Sequence, residues 1–202
     1  MIAIIDYGVG NLFSLCCSFR AIGQDVIVSG DPAVLEKAEK LILPGVGAFE
    51  DAIAKLRNSG LDKLVLKKAA DGVPLMGICL GMQLLFEKSY EYGEHEGLGL
   101  LKGQVVPMPG LLPAGLKVPH MGWNQIKKTK DSKLLQHVES GDFVYFVHSY
   151  FAINCTESVA AVTDYGIPMT AAVEYGNVFG CQFHPEKSGE VGLRILKTFC
   201  EL

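Results

Sequence analysis

The 202-residue chain is short of the features that mark several protein classes. Cysteine occurs six times, at positions 16, 17, 79, 155, 181 and 200, but never in C-x-x-C spacing. That leaves no zinc-ligand pattern and no dithiol redox motif. No apolar run is long enough to span a bilayer, so no membrane association is expected. Ile2-Ala3-Ile4-Ile5-Asp6 lacks the basic stretch, apolar core and small-residue site of a leader peptide. A reducing cytoplasm with free thiols is the setting this predicts. An excess of charge of one sign is lacking too: the formal net charge is only −4, which gives no electrostatic reason to expect a nucleic-acid partner. Lys127, Lys128 and Lys130 form the densest basic run, read as a solvated strand end. Asp6-Tyr7-Gly8-Val9-Gly10-Asn11 looks like a phosphate-binding glycine loop but lacks the third glycine of the dinucleotide fingerprint. His95 and His137 have no companions at metal-ligand spacing and read as surface residues. Neither a cofactor nor a metal is expected.

Hydrophobic residues make up 49% of the chain, a globular composition with room for a substantial core. With no internal repeat, low-complexity tract or linker, residues 1–202 read as a single domain. The first half alternates short apolar runs with helical spacing, the mark of parallel strands joined by crossover helices. Strands are predicted at Ile2 to Asp6, Asp25 to Ser29, Lys40 to Leu43 and Val73 to Ile78. Leu12, Leu15, Cys16 and Phe19 recur at helical spacing, and Ala48 to Asn58 and Leu61 to Ala70 read as helices stopped by Gly60 and Gly72. Asp31-Pro32 has the form of an N-cap followed by proline at the first helical position. Beyond Cys79 a helix is predicted through Gln83 to Glu87.

The second half changes character. Gly103 to Gly115 reads as a Pro- and Gly-rich loop with strand pieces, and Pro119 to Asn124 as a polar loop carrying the only tryptophan. Strands at Phe143 to His148, Val159 to Thr163, Thr170 to Tyr175 and Val178 to Phe183 are close enough in sequence to pair antiparallel. A last helix from Gly189 to Cys200 would turn Ile195, Leu196 and Phe199 inward. The fold class is α/β: an open, mostly parallel sheet flanked by helices, with additional antiparallel strands in the second half.

One short segment points to chemistry. Gly77-Ile78-Cys79-Leu80-Gly81 places a cysteine between glycines at a strand-to-helix junction. Glycines there permit a sharp bend and let neighbouring chains approach. The sulfur would lie at the carboxyl edge of the sheet and at a helix N-terminus, which favours thiolate over thiol. A buried cysteine packing a turn is the plainer alternative. His184-Pro185-Glu186 ends another apolar run and offers a base with an acid close enough to orient it, completing a Cys-His-Glu relay. An α/β-hydrolase would place its acid between nucleophile and histidine, whereas Glu186 follows His184. The amide of Leu80 and the loop Pro44-Gly45-Val46-Gly47 could donate to an oxyanion. His148-Ser149-Tyr150 ends a strand and either lines a pocket or satisfies backbone groups; Trp123 either anchors a partner or is partly buried.

Taken together these motifs resemble the class I, triad-type glutamine amidotransferases. More closely, they are similar to the glutaminase subunits of imidazole glycerol phosphate synthases, which serve histidine biosynthesis. The class-level likeness rests on Pro44 to Gly47, Gly77 to Gly81 with Gln83, and His184 to Glu186. The closer one rests on Asp6 to Leu12, Pro119 to Asn124, Phe146 to Tyr150, and His184 to Ser188. Met108 to Leu116 has no counterpart in it. The resemblance implies a flavodoxin-like sheet and a triad of Cys79, His184 and Glu186, with Val46, Gly47 and Leu80 around the oxyanion. It implies that Gln83, Glu91, His148, Ser149 and Tyr150 hold substrate glutamine. The partner it implies is a (β/α)8-barrel cyclase subunit that receives ammonia through a channel and contacts Asn11, Trp123 and Lys187. The rivals are a glutaminase for anthranilate, pyridoxal phosphate or GMP synthesis, a silent α/β binding module, and a cysteine hydrolase acting on esters or lactones.

Overall fold

The computed structural model describes residues 1–202. The first half runs β1 (Ile2–Ile5), α1 (Leu12–Ala21), β2 (Val26–Ser29), α2 (Pro32–Leu35), β3 (Lys40–Leu43), α3 (Phe49–Asn58), α4 (Leu61–Ala70), β4 (Leu75–Ile78) and α5 (Leu80–Leu84). Strands then dominate: β5 (Phe86–Ser89), β6 (His95–Glu96), β7 (Leu101–Pro107), β8 (His120–Lys128), β9 (Phe143–His148) and β10 (Tyr150–Ile153). The chain closes with β11 (Val159–Asp164), β12 (Pro168–Tyr175), β13 (Val178–Cys181), a 3-10 turn at Pro185–Lys187 and α6 (Gly189–Glu201).

Nine strands form one sheet in the order β2-β1-β3-β4-β13-β12-β11-β8-β9. Pairing is parallel from β2 to β13 and antiparallel from β13 to β9. The opening order 2-1-3-4 is that of flavodoxin-like sheets, whose ligands bind outside the carboxyl ends of the strands. A four-stranded sheet, β10-β7-β5-β6, stands beside it.

Period-two alternation sorts the core. Ala3, Ile5, Leu41 and Leu43 face α3 and α4 through Ile53, Leu56, Leu61 and Val65. Ile2, Ile4 and Ile42 face the other way, against Leu15 and Phe19 of α1 and Ile195, Leu196 and Phe199 of α6. Burial on both faces is why β1 and β3 read as continuous apolar runs rather than alternating ones. Asp31 caps α2 as expected, its carboxylate accepting the Ala33 N–H at 2.9 Å.

Two expectations give way. The helix predicted through Glu87 stops at Leu84, and Phe86–Ser89 is a strand. Its carbonyls are captured by tertiary partners: Leu84 accepts from Leu98 N–H at 2.8 Å, and Leu85 from Leu100 and Leu101 N–H at 2.9 and 3.0 Å. A continuing helix would need those acceptors itself. Pro119 to Asn124 is not a loop, for His120–Lys128 is a nine-residue strand paired along β9. Its polar residues and Gly122 hide it from a pattern search. Of the Gly103 to Gly115 stretch, β7 takes residues up to Pro107.

Candidate active site

Because β3, β4 and β13 are parallel neighbours, their carboxyl ends emerge side by side. They lead into Pro44-Gly45-Val46-Gly47, Cys79 and His184. Cys79 has φ 55 and ψ −113, a conformation that residues with side chains rarely hold. Such strain costs about 1–3 kcal/mol and persists only where the surroundings enforce it. Here the Cys79 N–H donates to the Cys181 carbonyl at 2.7 Å, and the Cys79 carbonyl accepts from Gln83 N–H at 3.2 Å. A Cβ on Gly81 would lie 1.9 Å from the Leu43 carbonyl oxygen, and one on Gly77 2.7 Å from the Gly81 backbone. So the two glycines serve close approach, and the strain sits on the cysteine. The residue is 8% exposed and forms part of a cavity wall rather than open surface.

His184 is fixed from both sides. Its N–H donates to the Tyr145 carbonyl at 2.9 Å. Ser188 Oγ donates to the His184 carbonyl at 2.6 Å and accepts from the Tyr145 N–H at 2.9 Å. Pro185 opens the 3-10 turn that swings Glu186 back, bringing Oε1 to 2.8 Å from His184 Nδ1. Both side chains are buried, and Glu186 Oε2 has no protein partner. A buried carboxylate so placed depends on the ring for its compensation. Burial alone pushes the imidazole down; hydrogen bonds and charge from Cys79 and Glu186 outweigh it and raise His184 to about 9. The imidazolium is therefore the favoured form at neutral pH, and it places a full charge beside the sulfur. The five-residue α5 contributes at most roughly half a charge.

The turn after β3 is pinned at its root and free at its tip. Tyr7, buried, donates its hydroxyl to the Pro44 carbonyl at 2.6 Å. A Cβ on Gly45 would lie 2.6 Å from Gly81 N, so this turn sits against the cysteine turn. Beyond it Val46 is exposed, and Gly47 has φ +93 with open space around it. Leu80, as the first residue of α5, carries an amide with no helical acceptor.

Cys79, His184, Val46, Gly47, Leu80, Gln83, Glu91 and His148-Ser149-Tyr150 all line one cavity of about 520 Å³. That is within the roughly 300–1,000 Å³ of small-ligand sites. His148 ends β9 in the large sheet and Tyr150 opens β10 in the small one, so the wall is a corner between sheets. Gln83 gives both amide hydrogens to the protein, to Tyr150 O at 3.1 Å and to Gln182 Oε1 at 3.0 Å. Its oxygen is left for a ligand. Glu91 Oε2 accepts the Phe49 N–H at 2.6 Å; burial raises its pKa, and that hydrogen bond works against the rise.

Sequence reasoning passed over several residues here. Gln182 Nε2 lies 3.9 Å from the Cys79 sulfur, and its signal was a lone polar residue in an apolar strand. Tyr92, at φ 54, lines the cavity with its ring 6.3 Å from Tyr150, and nothing in the sequence marks it. Outside the cavity Trp123 is 55% exposed, edge-on to Tyr145 at 6.1 Å, and Lys187 Nζ lies 5.9 Å from the same ring. Asn11 precedes α1 without capping it through its side chain. His137 is exposed and His95 partly so.

The family model "Glutamine amidotransferase class-I" matches residues 3–201. A protein named imidazole glycerol phosphate synthase subunit HisH from Methanothermobacter thermautotrophicus is 52% identical over 202 residues, covering 100% of this chain and 98% of that one. One of the same name from Lactococcus lactis is 49% identical, covering 99% and 98%. Among solved structures, one titled a glutamine amidotransferase has TM-score 0.77 at 20% identity, covering 99% of this chain and 97% of that one. The structure of PurLQS from Thermotoga maritima has TM-score 0.74 at 21% identity, covering 99% and 97%. These two share the fold. No helix of the chain is long and apolar enough to cross a membrane.

Proposed function

The chain belongs to the class-I glutamine amidotransferases, and on that premise we propose that it is the glutamine-hydrolysing subunit of an imidazole glycerol phosphate synthase, acting through a Cys79-His184-Glu186 triad. The observation that carries the triad is the strained Cys79 turn facing an imidazole held at about 9 by the sulfur and by Glu186. Full-length identity of about half with subunits named for that synthase supports the choice over anthranilate, pyridoxal phosphate or GMP synthesis. Residues 1–202 act as one glutaminase domain.

His184, having taken the thiol proton, stands as the imidazolium beside the sulfur, and the Cys79 thiolate attacks the carboxamide carbon of glutamine. The amide of Leu80 and the Val46-Gly47 turn donate to the oxyanion as it forms. His184 then protonates the departing nitrogen, leaving a glutamyl thioester that water hydrolyses to glutamate. Gln83, Glu91 and the corner at His148, Ser149 and Tyr150 hold the substrate. Glu91 suits its ammonium group, and the Gln83 oxygen accepts a further hydrogen bond from it.

Ammonia released to water would be protonated and lose its nucleophilicity. It passes instead to a (β/α)8-barrel cyclase subunit, where it reacts with a phosphorylated ribulosyl-formimino carboxamide-ribotide. The products are imidazole glycerol phosphate and aminoimidazole carboxamide ribotide. Asn11, Trp123 and Lys187 meet that partner. A turn pinned at Pro44 and free at Gly47 supplies the gate, since rotating one peptide adds or withdraws an oxyanion donor. The test is glutamate release by the chain alone and with cyclase plus nucleotide. A slow rate alone that rises with both is expected; full activity alone contradicts the gate, and no glutamate in either condition contradicts the glutaminase reading.

A further inference from the structure

His148 in the pocket wall and His120 behind it are two buried histidines that the mechanism does not use as acids or bases. His120 and His148 are direct cross-strand partners in the β8–β9 ladder, and His120 Nδ1 stands 3.0 Å from His148 Nε2. His148 Nδ1 is 2.9 Å from the Tyr150 carbonyl, and Asn124 Nδ2 is 3.2 Å from His120 Nε2. The His120 ring is stacked between Tyr165 and Phe146, with centroids at 4.1 and 4.7 Å.

The proton positions follow from the ends of this chain. A carbonyl only accepts, so His148 Nδ1 must carry a hydrogen. Burial drives His148 down to about 3 and His120 to about 4, so both rings are neutral. Nε2 of His148 is then a lone pair, and His120 must donate from Nδ1. His120 Nε2 in turn accepts from Asn124, whose amide also donates to Asp164 O at 2.8 Å. An extended strand would separate residues 120 and 124 by about 13 Å. The two side chains, on one face of the strand, reach toward each other over Gly122, which has φ +123 and no side chain in the way. The links from Asn124 through His120 and His148 thus all donate toward Tyr150 O, which also accepts from Gln83; Gln83 donates in turn to Gln182, and Gln182 to the Cys79 sulfur.

We propose that His120 is a positioning residue, which through His148 fixes the Tyr150 carbonyl and the Gln83 carboxamide in the geometry that receives substrate. This rests on the glutaminase reading. Without the His120 donor, His148 can turn over or exchange tautomer, and Tyr150 O loses its second hydrogen bond. The geometry of Gln83, and so substrate affinity, suffers more than the chemical step.

The experiment uses the chain with its cyclase and nucleotide and measures glutamine hydrolysis for wild type, His120→Phe and His120→Asn. Phenylalanine keeps the stacking and removes the donor; asparagine puts an amide nitrogen where Nδ1 was. We expect KM for glutamine to rise about five- to tenfold in His120→Phe with kcat within about twofold, and His120→Asn to recover most of it. Thermal midpoints, measured alongside, should fall in both variants, so that the recovery of KM by asparagine cannot be a stability effect. A His120→Phe variant with lower stability and unchanged KM would overturn the proposal alone. Failure of the wild type to hydrolyse glutamine would overturn the glutaminase reading and the proposal with it.

Discussion

Two parts of the large sheet meet at the cavity, and they fix their groups by different means. In the parallel part, β1, β3, β4 and β13 lead into Tyr7, the Pro44 turn, Cys79 and His184. Placement there is by backbone: a left-handed cysteine, a 2.7 Å bond from its N–H to Cys181 O, and glycines whose Cβ atoms would overlap neighbouring carbonyls and amides. On the antiparallel side the cavity wall is the corner where β9 of the large sheet passes into β10 of the small one, and a chain of side-chain hydrogen bonds from Asn124 through His120 to His148 holds it. The lesson is about sensitivity. Backbone placement tolerates pH but no change in chain path, whereas a neutral histidine pair holds only while both rings stay unprotonated.

The contrast can be broken first on the parallel side. Glu186→Gln keeps the hydrogen-bonding shape beside His184 but removes the charge, which helps hold the ring at about 9. A fall in kcat of about 10²–10³-fold is expected, because the ring loses the partner that stabilises its protonated form. The wild-type rate should fall as pH rises through about 9, where His184 can no longer protonate the leaving nitrogen. In the variant that limb should move to lower pH. Rate against pH for the two proteins checks both statements; an unmoved limb would remove Glu186 from the relay.

A smaller effect separates the antiparallel side. His120 and His148 sit at about 4 and 3 in the native chain, against an ordinary value near 6.5. Between about 4 and 6.5 the unfolded chain therefore binds protons that the native state refuses. Stability should fall as pH falls through that window, by at most about 1.4 kcal/mol per pH unit for each histidine. Urea unfolding from pH 7 to 4.5 measures the slope, and His120→Phe should make it shallower. An equal slope in both proteins would mean that another group drives the acid loss.

The same division governs what can be read from sequence. Lys40–Leu43 and Leu61–Ala70 match their expected bounds, because buried parallel strands and amphipathic helices carry their own pattern. β5 could not be told from a helix, since the choice was made by amides of Leu98, Leu100 and Leu101 far along the chain. β8 was hidden because its residues are mostly polar and only His120 and Ile126 are buried, so no apolar face marks it. Cys79, His184 and Glu186 were singled out by residue type and spacing, and the fold places them together. Tyr7 was noted only as part of a glycine loop; its hold on Pro44 needed the β1–β3 adjacency to be visible. The pairing of His120 with His148 exists only through strand register, which neither motif states alone.

The central claim is that Cys79 forms the covalent bond to glutamine. Its most direct test is acid-quenched turnover of the chain with cyclase and nucleotide, followed by mass spectrometry of the peptide carrying residue 79, in wild type and Cys79→Ala. The account predicts a glutamyl adduct on Cys79 in the wild type, with no adduct and no glutamate from a variant that still folds and binds the cyclase. Undiminished glutamate release by Cys79→Ala would contradict it.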